Sequence, residues 1–347
     1  VSEHNGTDEQ LHPENPTEQS PRGRQYQPEQ SGMYELEFPA PQLSAADGRG
    51  PVMIHALEGF SDAGHAIRLA AEHLKNTLDT ELVASFAIDE LLDYRSRRPL
   101  MTFTTDHFTK YDDPQLNLYA LHDTAGTPFL LLAGLEPDLK WERFITAVRL
   151  LAERLGVRQV IGLGAIPMAV PHTRPISMTA HASNTELIAE HQPWVGEVQV
   201  PASVSNLLEY RLSQHGHEAL GFTVHVPHYL AQTAYPQAAE TLLAEVSRIA
   251  ALSIPLQALS EAGAEVYSKI SDQVEASSEV AQVVTALEQQ YDAFVAAQEN
   301  RSLLARDEEL PSGDELGAQF EQFLAQQAGD GSTESPDGDD GIGGARP

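Results

Sequence analysis

Three stretches of the chain place groups able to do chemistry beside residues that leave the backbone free. The first, Glu58-Gly59-Phe60-Ser61-Asp62-Ala63-Gly64, sets one carboxylate before a glycine and a hydroxyl and a second carboxylate between that glycine and the next, directly after the apolar run Val52–Leu57. A strand entering a helix through such a turn can carry a nucleophilic serine or an anion at the helix N-terminus. A nucleophile elbow needs its second glycine two residues after the serine, whereas Gly64 comes three after Ser61. Ser61 or Asp62 as a plain helix cap explains the same residues and is the preferred reading. Glu58 beside the helix start also disfavours a phosphate. The second stretch, Gly162-Leu163-Gly164-Ala165-Ile166-Pro167, has proline where a dinucleotide fingerprint has its third glycine. Gly162 and Gly164 then remain as a pair permitting close backbone approach. In the third, Pro171-His172-Thr173-Arg174-Pro175, two prolines stiffen a loop that holds His172 and Arg174 at a strand end, where open α/β sheets gather ligand-binding groups. On an acidic chain an ordered arginine pairs with a carboxylate such as Asp62 or Glu58, the preferred reading, or receives an anion.

Other chemistry is excluded by what the chain lacks. With no cysteine there is no disulfide framework, thiolate nucleophile or thiolate metal site, and a reducing, cytoplasmic setting is the simplest expectation. The fourteen histidines include no His-Glu-x-x-His, and those at 215, 217, 225 and 228 read as packed or solvated residues, so no metal or cofactor is expected. No Walker-type glycine loop is present. The basic cluster Arg95, Arg97 and Arg98 reads as a solvated loop or as a dock for an acidic surface.

The elements that must position these groups alternate between short β-rich runs and helical periodicity, which predicts an α/β domain with a mixed central sheet flanked by helices. Strands are expected at Val52–Leu57, Leu82–Ile88, Leu100–Thr105, Leu116–Leu121, Phe129–Leu135, Gln159–Leu163, Ile176–Ala182 and Gly221–Val226. Helices are expected from Asp62 to Leu78, from an Asp138 cap to a Gly156 stop, from Ser203 to His215, from Pro236 to Ala250 and from Val274 to Phe294. In the last of these, Val280, Val284, Leu287, Tyr291 and Phe294 make two heptads, which favours packing against residues 257–270 over an oligomer seam.

Charge sets the organisation. The 347 residues carry 21 basic and 51 acidic side chains, a formal net charge of −30, which rules against binding to phosphate backbones or anionic membranes. Residues 1–50 and 301–347 are acidic and poor in large apolar side chains, and are expected to be largely disordered. Residues 1–30 lack the basic and apolar regions of a secretory leader, and no apolar run approaches a membrane span. The expected organisation is an acidic tail at 1–50, an α/β core at 51–255, a helical extension at 256–306 and an acidic tail at 307–347. Within that last tail, Ser312 and Glu315 form a capping box ahead of Leu316, Phe320, Phe323 and Leu324, which predicts a partner-docking amphipathic helix over 313–326.

Four blocks in order, GFSDAG from Gly59, LDYRSRRP from Leu92, LGAIP with PHTRP from Leu163 to Pro175, and VPHYL with a following YP from Val226, resemble the bacterial branch of the proteasome assembly chaperone 2 family over about residues 50–255. The resemblance implies a phosphorylase/hydrolase-like mixed sheet and a homo-oligomer, a trimer by preference. It also implies a protein partner, with proteasome subunits as the class that relatives serve, and it carries over no catalytic residue. Relatives that insert a terminus into proteasome pockets end in a hydrophobic residue, tyrosine and any residue, whereas this chain reads Gly344-Ala345-Arg346-Pro347. A non-catalytic binding or assembly protein is therefore the expected function. The alternative is a small-molecule sensor or hydrolase/phosphorylase-like enzyme using the loops at 58–64 and 171–175, with Glu58, Gly59, Ser61, Asp62, Gly64, Gly162, Gly164, His172 and Arg174 as its candidate residues.

Overall fold

A computed structural model describes residues 32–38, 41, 43, 48–192 and 196–304, with backbone alone for 298–304. One compact unit ends at Tyr291 and a second begins at Asp292. The first is built on ten strands and seven helices among the described residues. In chain order these are β1 (Tyr34–Leu36), β2 (Val52–Glu58), α1 (Ala66–Thr77), β3 (Asp79–Phe86), α2 (Ile88–Leu91), β4 (Met101–Thr104), β5 (His107–Tyr111), β6 (Leu116–His122), β7 (Pro128–Leu135), α3 (Trp141–Arg154), β8 (Gln159–Met168), β9 (Met178–Ala182), α4 (Val204–Gln214), β10 (Ala219–Pro227), α5 (Pro236–Ala250), α6 (Gln257–Glu275) and α7 (Ser278–Leu304), whose last part belongs to the second unit.

Eight strands form one sheet in the order β1-β3-β6-β7-β2-β8-β10-β9. The central pairs β7–β2, β2–β8 and β8–β10 are parallel, while β1–β3, β3–β6, β6–β7 and β10–β9 are antiparallel. The mixed sheet flanked by helices is thus the observed architecture. Because side chains alternate across a strand, each strand feeds two cores. Ile54, Ile161, Leu163, Leu220 and Phe222 point to the side covered by α1, α5 and α6. Met53, Leu57, Val160 and Ala219 point to the side covered by α3 and α4 through Phe144, Val148, Leu208 and Leu212. Each fully buried large apolar side chain of this kind stabilises the fold by roughly 1.5–3 kcal/mol.

Several boundaries differ from the sequence reading. The helix expected from Asp62 begins at Ala66, because a single 3-10 turn, Ala63–His65, with Gly64 at φ +67° intervenes. The Asp138 cap is not one: α3 starts at Trp141, whose Nε1 donates to Pro137 O at 2.7 Å, and the Asp138 carboxylate instead receives the Asp93 N–H and pairs with Arg97. Gly156, at φ +66°, ends that helical segment as expected. β8 continues five residues past Leu163 through the glycine pair and Pro167, because β10 runs beside it as far as Met168. The helix expected over 274–294 is two helices that meet at Ala276–Ser277, and its heptad residues are split, Val284 and Leu287 being buried and Val280 exposed.

Residues 1–50, read as coil, include β1. Met33 and Tyr34 are buried and Tyr34 packs on Phe86, so two large apolar residues in an otherwise polar stretch suffice to add an edge strand. The strand expected at 100–105 pairs with β5, which the sequence reading did not anticipate, as a two-stranded hairpin separate from the main sheet. The helix expected over 313–326, with Leu316, Phe320, Phe323 and Leu324, lies outside the described residues.

Candidate functional site

On the α4 side, the strands β2, β8, β10 and β9 change from an apolar surface to a polar one. Register places His55, Gly162, Gly221 and His181 in one row across the four strands. The next row along the same face is Gly164, Thr223 and Thr179. Both glycines of the first row are there because an imidazole lies over each. A methyl group at 162 would stand 2.7 Å from Cε1 and Nε2 of His55, and one at 221 would stand 2.3 Å from Cε1 of His181. Above this floor is a cleft of about 580 Å³, walled by Ser205, Asn206 and Glu209 of α4, by Val198, Val200 and Pro201 of the preceding loop, and by Phe60 and Ser61.

Burial decides the electrostatics. His55 is 2% exposed and neither ring nitrogen has a hydrogen-bond partner. Desolvation, helped by the nearby His181, pushes its pKa down to about 4, so the ring is neutral at physiological pH. His181 is held differently: Nδ1 lies 2.7 Å from the Glu209 carboxylate, which fixes the proton there and turns Nε2 toward Thr223 Oγ1 at 3.5 Å. His225, kept neutral by burial, braces Ser177 and Thr179 beneath the cleft rim at 2.9 and 3.0 Å. Among the described residues Glu209 is the one acidic side chain lining the cleft, whose walls include no lysine or arginine. The α4 N-terminus does not offer an anion site either: Ser203 accepts the Asn206 N–H, and the buried Glu136 accepts the Val204 N–H at 2.6 Å through Oε1. The arrangement can therefore donate and accept hydrogen bonds from neutral groups within apolar walls. Among the described residues no group of three or more His, Cys, Asp or Glu is disposed to hold a metal ion.

The structure brings together some of the residues singled out from sequence and separates others. Both loops leave the same end of the sheet, since β2 and β8 are parallel neighbours and Asp62 bridges to Ala165. Ser61, Gly162 and Gly164 line the cleft. Asp62 does not: Oδ1 accepts the Ile67 N–H at 2.7 Å, capping α1, and burial raises its pKa to about 6. Glu58 beside it is likewise raised, by burial first and the Asp62 charge second. Gly59 has no space for a side chain because Glu136 packs on it, its Oε2 accepting the Phe60 N–H at 3.0 Å. Gly64 makes the turn, exchanging backbone hydrogen bonds with Ala231 and Tyr235. The 171–175 loop does not line the cleft. His172 receives the Tyr229 hydroxyl at Nδ1, 2.7 Å away, and its buried ring stays neutral. Arg174 pairs with a carboxylate as preferred, but the partner is Glu288 of α7 at 3.2 Å rather than Asp62 or Glu58. Thr173 bonds the same carboxylate, and Tyr291 donates to Pro175 O, so this loop is a latch for α7.

His55, His181, Glu209, Thr179 and Thr223 were missed. For His181, Thr179 and Thr223 the signal was the alternation in Leu220-Gly-Phe-Thr-Val and Met178-Thr-Ala-His-Ala, matched in Ile161-Gly-Leu-Gly-Ala, where every second residue is small or polar while the intervening ones are core.

Fold and site together define a mixed α/β protein with a ligand-sized cleft over its parallel strands. The chain belongs to the PAC2 family, whose model matches residues 56–274. Among solved structures it is similar to a protein of unknown function from Mycobacterium tuberculosis, at 76% identity and a TM-score of 0.77 over 79% of this chain and 96% of that one. It is similar to another of unknown function from Corynebacterium glutamicum, at 44% identity and a TM-score of 0.73 over 76% and 99%. A Mycobacterium tuberculosis proteasome-assembly chaperone homologue shares the fold, with 23% identity and a TM-score of 0.62 over 67% and 99%. Comparison with curated proteins found no match.

Proposed function

We propose that this chain is a non-catalytic, cytoplasmic protein-binding protein of assembly-chaperone type, acting as a homo-oligomer. The observation that carries the reading is the β4–β5 hairpin. It stands apart from the main sheet, and all nine of its strand residues are exposed. Leu100 (73% exposed), Phe103 (57%) and Phe108 (63%), with Met101 and Tyr111, form an apolar surface in water, the kind that marks a protein interface. Arg97 fixes the root of the hairpin to Asp138, while Arg95 and Arg98 are exposed beside it. A second copy of the chain, with its net charge of −30, offers the acidic surface that such a basic, apolar finger fits. Contact between two different surfaces of the same chain is heterologous, the kind that forms a ring where its rotation closes, and a trimer is the ring proposed here. The shared fold of the proteasome-assembly chaperone homologue supports proteasome subunits as the further partner class. No described helix is long and apolar enough to cross a membrane.

Sedimentation velocity on the full chain and on Phe103→Ser/Phe108→Ser tests this. The parent is expected to sediment as a trimer and the variant as a monomer with an unchanged circular dichroism spectrum; a parent monomer, or a variant with the parent's mass, overturns the assembly. Immobilised host proteasome α-subunits should retain the parent and not unrelated acidic proteins.

A further inference from the structure

No residue of the β4–β5 hairpin lines the cleft under α4, which is built around a group with nothing to bond. A neutral imidazole always carries one N–H donor and one lone-pair acceptor. Both nitrogens of His55 are buried without partners, and leaving such groups unsatisfied is unfavourable. The Cε1–Nε2 edge of the ring lies over Gly162, and both residues line the cleft, so the ring edge carrying the unmet Nε2 sits at the cleft floor. A side chain at either glycine of the row would collide with the imidazole that lies over it.

The lining selects what can enter. Among the described residues an anion would find no cation in the lining, would meet the Glu209 carboxylate, and would face an α4 N-terminus already occupied by Ser203 and Glu136. A cation would have to take Glu209 from His181. Neutral hydroxyls at Ser61, Thr179, Ser205 and Thr223 surround the two imidazoles and suit a neutral polar group. The remaining wall is apolar, and Phe60, Val198 and Val200 stand largely exposed at it. A volume of about 580 Å³ falls within the range of small-molecule sites.

We propose that this cleft binds an uncharged small molecule with an apolar body and one hydroxyl or carboxamide group, and that the group hydrogen-bonds to His55. His181, oriented by Glu209, and Thr223 complete the polar end. Phe60, Val198 and Val200 cover the apolar body.

Three probes of one shape and different charge test the assignment: benzamide, benzoate and benzylammonium, titrated into the full chain labelled with 15N-histidine. Benzamide at millimolar concentration is expected to shift the His55 ring nitrogens, with benzoate at least about tenfold weaker, as expected for burying a charge without a counter-charge, and benzylammonium likewise weaker because the Glu209 carboxylate is already paired with His181. His55→Leu should weaken benzamide about tenfold, the loss of one hydrogen bond. Equal binding of benzoate, or His55 nitrogens unmoved at saturating benzamide, overturns the proposal. So does the absence of binding, which would mean that the cleft takes a protein segment or nothing. The nitrogen shifts are read on the unaltered chain, so the test stands even if His55→Leu fails to fold.

Discussion

Two residues near the cleft, the half-buried Asp62 and the buried His55, titrate in opposite senses. Asp62 keeps its proton up to about pH 6 in the folded chain, against a usual value of 3.8. The folded state therefore binds more protons between those values, and Asp62 lowers stability as pH rises through that window. Asp62→Asn, which keeps an acceptor for the Ile67 N–H, should raise stability at pH 7 by about 1–3 kcal/mol and change little at pH 4. His55 does the reverse. Its folded pKa of about 4 lies below the ordinary 6.5, so the unfolded chain binds the extra proton and stability is lost as pH falls from 6.5 toward 4. His55→Leu should flatten that acid limb. Urea titrations at several pH values separate the two, and an acid limb unchanged in His55→Leu would refute the assignment. Glu136 is a third case. It accepts from both Phe60 and Val204, and an amide at this position can accept through one oxygen only. Glu136→Gln is expected to cost about 1–3 kcal/mol in the same titrations. Nothing in the sequence marks Glu136, because its two partners lie 76 and 68 residues away. Asp62 was legible as a cap because a cap is local.

At the scale of elements, strands and helices with strong period were readable, and α5 matches its expected bounds of Pro236–Ala250. What escaped was decided by neighbours. β8 runs through Pro167 because β10 is alongside, and β5 was hidden because its pattern, exposed on both faces, carries no burial signal. Arg174 was rightly read as paired, but its partner is 114 residues away on a helix whose start was misplaced. That latch is half-exposed, so Glu288→Ala should cost under about 1 kcal/mol in global stability. Its effect should show locally, as faster amide hydrogen exchange over residues 171–175 and the first half of α7. Unchanged exchange there would mean that the buried Val284 and Leu287 hold the helix without the latch.

Across the whole molecule the sheet is a partition. One side is a continuous apolar core beneath α1, α5 and α6, and the other is apolar from β1 to β7 and passes, along β2, β8, β10 and β9, from apolar residues such as Met53, Val160 and Ala219 to the polar row of His55 and His181. That division was latent in the alternating residues and became visible only when register aligned four strands from distant parts of the chain. The apolar half reaches the edge at β1, where Met33 is fully buried. Met33→Ala should lower stability by about 2–5 kcal/mol, measured by denaturation, which would tie the three-residue strand to the cooperative fold. The polar half carries a different obligation. Because one imidazole occupies the volume a neighbour gives up, positions 55 and 162 share a single allowance of space, and so do 181 and 221. Drift at one member of a pair then demands a reciprocal change at the other: Gly162→Ala alone should be poorly tolerated, and His55→Ala should rescue it. Lineages that abandon the histidines are free to fill the glycines.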